Sequence, residues 1–199
     1  MTEQDPTATP ADVDTTETDE TPEIAAAMAA DALVPLDVEV APQPKSAPDD
    51  REQRGPFDVA EVTGVRPYID LGGVKVLPRA DLHLRLEVEE ATKRVVAVGL
   101  EYHGTTLQVQ PFAAPRSSGL WHDIREQIME QLRKQGAKAK PANGPFGPEI
   151  FAEIPVNQDG QQGWRLARFI GVDGPRWFLR GVIAGKGATD AEAANEVEE

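Results

Sequence analysis

The chain has 199 residues, with 34 acidic against 20 basic side chains and a formal net charge of −14. Hydrophobic residues make up 40% and charged ones 27%, which fits a single ordinary core with a tail and leaves no run long enough for a membrane-spanning helix. The absence of cysteine removes disulfides, thiolate metal centres, iron–sulfur clusters and cysteine nucleophiles.

The charge is unevenly divided. Residues 1–50 hold thirteen acids and one base, Lys45, for a net of −12; residues 51–186 hold sixteen acids and nineteen bases, a net of +3; residues 187–199 hold five acids and no base. All eleven aromatic residues lie between Phe57 and Phe178. An acidic, proline-rich stretch without rings buries too little apolar surface to offset the entropy of ordering. Residues 1–54 therefore read as a disordered acidic tail, 55–186 as one domain, and 187–199 as an acidic helix start or frayed end. The first residues lack the basic patch and apolar run of a secretory leader, so a cytoplasmic location and no membrane insertion are expected.

Within the tail, Glu23 to Val34 is rich in alanine, with Ile24, Met28 and Leu33 on roughly one helical face. The segment reads either as a short helix that folds into a partner's groove or as transient helicity in solvent. The second reading is favoured by the cost of nucleating about a dozen residues alone.

The body begins near Gly55-Pro56-Phe57. Two β-prone runs, Tyr68–Leu71 and Val74–Leu77, flank Gly72-Gly73, the pair a tight primed turn requires. Leu82, Leu84, Leu86 and Val88 alternate with His83, Arg85, Glu87 and Glu89, which predicts a strand with one wet face. Val96, Val98, Leu100 and Tyr102 repeat at period two, and Thr105 to Val109 adds a further strand, so a meander is expected.

One long helix follows. Leu120, Ile124, Ile128 and Leu132 repeat every four residues, with Ser117-Ser118 as the expected cap and Gly136 as the stop. Lys138 to Glu149 reads as a turn-rich loop because of its prolines. Strands are expected over Glu149–Val156, Trp164–Gly171 and Arg176–Ala184, the last two joined by a Val172–Pro175 loop. The sum is an α+β fold: antiparallel sheet in βββ-α-βββ order with one main amphipathic helix.

Phe112 to Ser117 with Gly119-Leu120-Trp121, Gly144 to Glu149, and Ala167 to Gly181 form three distinctive stretches. With Gly55 to Asp58 and Asp70 to Gly73, they resemble an actinobacterial family known only as a domain of unknown function. The resemblance covers roughly residues 55–198. It implies an acidic, variable N-terminal extension and genes often placed beside those for a dUTPase and an OB-fold nucleic-acid-binding protein. It implies no chemistry. Relatives usually continue beyond the terminal acidic segment, so the resemblance implies a shortened C-terminus here.

No catalytic signature emerges. His83, His103 and His122 lack metal-ligand spacing, GxSxG is missing, and neither phosphate-loop fingerprint occurs. No cofactor or metal is expected. Adjacent helical positions point apart, so His122 and Asp123 are not expected to pair.

The most unusual stretch is the hairpin from Trp164 to Gly181. Arg165, Arg168, Arg176 and Arg180 alternate there with Trp164, Phe169, Trp177 and Phe178. Guanidinium groups among rings suit an anion or single-stranded nucleic acid, with Arg165, Arg168, Arg176, Trp177 and Arg180 as the candidate site. The alternative is that the rings are core and the arginines snorkel, with Arg168 paired to an acid on a neighbouring strand. The preferred function is a non-catalytic binding or adaptor module with a protein partner of open identity. An enzyme or accessory acting on nucleotides or nucleic acid is the competitor. An enzyme needs Arg168, Arg176 or Arg180 to converge with a carboxylate or histidine in a pocket. An adaptor needs an apolar patch or an unpaired sheet edge.

Overall fold

The short apolar runs separated by glycine turns become strands, and the single four-residue period becomes a helix. The computed structural model describes residues 42–158, 161–190 and 193–194. Its elements are α1 (Arg51–Arg54), β1 (Ile69–Asp70), β2 (Lys75–Val76), β3 (His83–Val88), β4 (Val95–Tyr102) and β5 (Thr105–Ala113). Then come α2 (Trp121–Lys134), β6 (Lys138–Gly144), β7 (Gly147–Gln158), β8 (Gln161–Asp173), β9 (Trp177–Gly185) and a 3-10 turn at Lys186–Ala188.

Seven strands form one sheet in the order β3-β4-β5-β9-β8-β7-β6, and every neighbouring pair is antiparallel. The α+β class with one main helix holds. The βββ-α-βββ order does not. Five strands precede α2, because the Gly72-Gly73 hairpin β1–β2 forms its own small ribbon, and four follow it. The added one is β6, the first after α2, where a proline-rich loop is expected. Pro141 sits opposite Ile150 on the outermost strand, where a missing N–H costs no ladder bond.

The helix packs on β6, β7 and β8. Trp121, Ile128 and Leu132 are buried with Ile150, Ala152, Phe169 and Phe178, so the four-residue period reports a real core face. Its far end closes as expected: Gly136 has φ +79°, its N–H donates to the Arg133 carbonyl, and the Ala137 N–H donates to Leu132. Its start differs. Neither serine caps it; Ser118 Oγ instead accepts from the Gln43 N–H at 3.1 Å. The opposite face of the sheet carries a second cluster of Leu107, Ile170 and Ile183, with Leu100, Val109 and Phe146 against it.

Packed residues extend beyond both expected boundaries, toward the termini. Residues 42–54 are expected in the tail, yet Arg51 is buried and opens α1. Lys45 Nζ donates to the carbonyls of Pro115, Gly174 and Pro175, and the Ser46 N–H donates to Asp173. These bonds to the body satisfy a segment that has no core of its own. Past residue 186, Gly187, Ala188 and Ala194 are buried, and Thr105 Oγ1 accepts from the Gly187 N–H while donating to the Ala193 carbonyl. The expected helix carrying Ile24, Met28 and Leu33 lies outside the described residues. Among those described, no helix is long and apolar enough to cross a membrane.

Candidate functional site: the arginine hairpin

The hairpin β8–β9 exists, but its register differs from the expected one. Asp173 faces Phe178 and Ile170 faces Gly181, so the turn is residues 174–176 rather than Val172–Pro175. Alternation then assigns sides. Arg165, Phe169, Phe178 and Arg180 share the helix side, while Arg168 and Trp177 stand on the other. Arg165 lies eight residues along β8 from Asp173, about 26 Å at strand rise. The five expected site residues therefore do not converge.

Each has its own surroundings. Arg168 forms a bidentate pair with Glu149 of β7, Nε to Oε1 at 3.1 Å and Nη2 to Oε2 at 2.8 Å, with both side chains about nine-tenths buried. Its third contact is the Gly187 carbonyl at 3.4 Å. This is the acid on a neighbouring strand that the alternative reading required. Arg180 is 4% exposed, donates to Gln110 Oε1 and lies over the Phe112 ring at 5.5 Å. Burial pushes its guanidinium pKa below the ordinary value.

Trp177 packs over Gly174, and its indole N–H donates to Asp58 Oδ2 at 3.0 Å. Arg51 lies 5.9 Å from the ring centroid and grips Glu61 through two bonds of 2.8 and 2.7 Å. Those bonds, with the Asp58 N–H, pull the Glu61 carboxyl down to about 2. Arg176 is exposed in the turn, and Arg165 is half-buried opposite Ile154.

Several structural residues escaped the sequence reading. Asp173 is buried and binds Leu120, Trp121 and Ser46 through their N–H groups. Lys45 signals itself only as the one base among the first fifty residues. His122 and Asp123 do approach, with Nδ1 3.5 Å from Oδ1 on the helix surface, although adjacent positions were expected to diverge.

Exposed groups lie elsewhere. On edge strand β3 and its neighbour β4, Leu86 and Val88 are 47% exposed and Val96 is 44% exposed. On the other edge, Lys138 Nζ sits 4.3 Å from the Trp164 ring centroid and 3.1 Å from Glu153, and Lys140 lies over Phe151. Among the described residues no group of three or more histidines and acids gathers as for a metal ion.

The chain folds as an antiparallel α+β domain whose inner arginines Arg51, Arg168 and Arg180 hold its own acids and amides. A family model described as "Protein of unknown function (DUF3710)" matches residues 55–199, and the chain belongs to that family. No curated protein and no solved structure matches it.

Proposed function

We propose that the protein is a non-catalytic binding module that docks a protein partner at the β3 edge. The observation that carries this reading is the exposed cluster of Leu86, Val88 and Val96 on the outermost strand and its neighbour. An edge strand with unpaired backbone groups beside apolar side chains suits addition of a partner strand. The two edges differ in the way this requires. Strand β6 carries Pro141, Lys138 and Lys140, devices that discourage pairing, whereas β3 carries no proline and exposes Leu86 and Val88, with Val96 beside them on β4.

The test is affinity isolation from the organism's own cell extract with intact protein, in parallel with a Leu86→Lys/Val88→Lys variant. A protein species retained by the parent and lost from the variant is expected. The same species on both, or nucleic acid alone on both, overturns the reading.

Nucleic acid binding has one observation of its own. Trp164 is 53% exposed, with Lys138 against its ring and Lys140 and Phe151 nearby. A cation beside an open ring supports base stacking. Low-salt binding of a single-stranded oligonucleotide that Trp164→Ala abolishes would favour it. This strip replaces the arginine hairpin as the better surface, because Arg168 and Arg180 lie buried on opposite sides.

A further inference from the structure

Residues 42–48, Pro42-Gln43-Pro44-Lys45-Ser46-Ala47-Pro48, hold three prolines and one base and run over the body without regular secondary structure. This strap precedes residue 55, where the family match starts, yet the groups that bind residues 43–46 lie inside that match. Backbone bonds fix both ends. The Gln43 N–H donates to Ser118 Oγ at 3.1 Å, and the Gln43 carbonyl accepts the Gly119 N–H at 2.8 Å. The Ser46 carbonyl accepts the Asp173 N–H at 2.8 Å, and the Ser46 N–H donates to Asp173 Oδ2 at 3.0 Å.

Between these ends, Lys45 Nζ donates to the carbonyls of Pro115, Gly174 and Pro175. An ammonium carries three N–H donors and no acceptor, so three carbonyl oxygens answer it in full. A side chain on Gly119 would strike the Pro44 carbonyl oxygen and the Lys45 Cα, so the bare glycine lets the strap approach.

The receiving groups are held by bonds in which the strap takes no part. Asp173 also binds the Leu120 and Trp121 N–H groups. The Gly174 N–H donates to the Trp177 carbonyl, and the Ala114 N–H donates to the Arg176 carbonyl. A site fixed before its occupant arrives loses little freedom on binding. The occupant is stiff as well, because Pro44 fixes its own φ and biases Gln43 toward extended backbone.

We propose that loop 115–119 and turn 173–175 form a docking cleft for an extended, proline-rich peptide carrying a free lysine, and that residues 42–48 occupy it in cis. A protein partner presenting the same chemistry takes the cleft when the strap leaves it. The tether runs five residues from Ser46 to Arg51, whose side chain is anchored on Glu61. Short links give effective concentrations of about millimolar order, so the chain masks its own cleft. Acetylation of Lys45 removes the charge and leaves a single N–H facing the carbonyls, which releases the strap.

The test uses the full chain and reads amide exchange at Gly119 and Asp173, whose N–H groups the strap covers. Lys45→Glu turns a carboxylate toward the carbonyl oxygens. It is expected to speed exchange at both amides about tenfold, while Leu120, bound to Asp173 Oδ1, stays protected. An end-capped synthetic peptide of residues 42–48 at about millimolar concentration is expected to restore protection to the variant. The same peptide acetylated on its lysine is expected to leave the cleft open. Unchanged exchange in Lys45→Glu overturns the proposal. So does a loss that no peptide rescues, which would make the strap a fixed part of the fold, and so does equal rescue by the acetylated peptide. Lys45→Met, uncharged and of similar length, carries the same titration if the glutamate variant does not fold.

Discussion

Asp173 caps a helix from another element: its Oδ1 accepts the Leu120 N–H at 2.8 Å, fifty-three residues away in sequence. The same carboxylate takes the Trp121 N–H at 3.3 Å and the Ser46 N–H at 3.0 Å. One buried group thereby joins the hairpin turn, the start of α2 and the N-terminal strap, and its negative charge sits at the positive end of the helix.

Asp173→Asn keeps the shape and removes the charge behind those three bonds. Hydrogen bonds to a buried charge are worth about 1.5–3 kcal/mol, so a loss of about 2–3 kcal/mol is expected in urea unfolding. Ser118→Ala, which removes only the acceptor for Gln43, is expected to cost about 0.5–1 kcal/mol. Equal losses would refute the dominant role of Asp173 at this junction.

Arg168→Met strands the Glu149 carboxylate in the interior and is expected to cost about 3–5 kcal/mol. Adding Glu149→Met removes the stranded charge, and most of the loss is expected to return. A double-mutant cycle measured by chemical denaturation decides this. An additive double variant would mean that the two residues act independently.

Stability should fall in acid partly through Glu61. Its carboxyl is lowered from 4.5 to about 2 by the Arg51 bond, so the folded state favours the ionised form. The contribution is therefore complete above pH 4.5 and disappears as pH drops through about 2. Unfolding free energies of the parent and Glu61→Gln are expected to differ at pH 6 and to converge in that window. A gap that stays constant down to pH 2 would refute the assignment.

Gly171→Ala places a methyl into the Trp121 ring, which rests on bare backbone. Overpacking of a tight core costs about 1–3 kcal/mol, and here the ring is fully buried with nowhere to shift. A lower unfolding midpoint with an altered near-ultraviolet tryptophan signal is the expected readout. Gly163→Ala, whose new methyl meets only Val156 at 3.6 Å, is the control and is expected to stay near neutral.

The candidate site was only partly legible. The arginines and rings of the hairpin are visible as residue types, but which of them share a side follows from the register. The turn was misplaced, because Val172 and Asp173 complete the strand and leave residues 174–176 to reverse the chain. The Glu149 partner of Arg168 was foreseen only as an unnamed acid, since antiparallel register between β7 and β8 follows from the whole sheet and not from either strand. The prolines of Lys138–Glu149 signal a loop locally, yet the structure carries prolines inside strands, Pro141 in β6, Pro148 and Pro155 in β7 and Pro111 in β5, because strand pairing is settled across the whole sheet.

What the amino-acid order determined by itself is local. Period four in Leu120 to Leu132, period two in β4, the glycine pair of β1–β2 and the Gly136 stop all rest on steric rules acting within a few residues. Family membership also follows from the chain alone. Tertiary structure decided the rest: strand order, the cap on α2, the fate of each arginine and the packing of residues 42–54 on the body. These depend on groups brought together from across the chain, where burial makes an ion pair or a capped N–H strong enough to select one arrangement over its rivals.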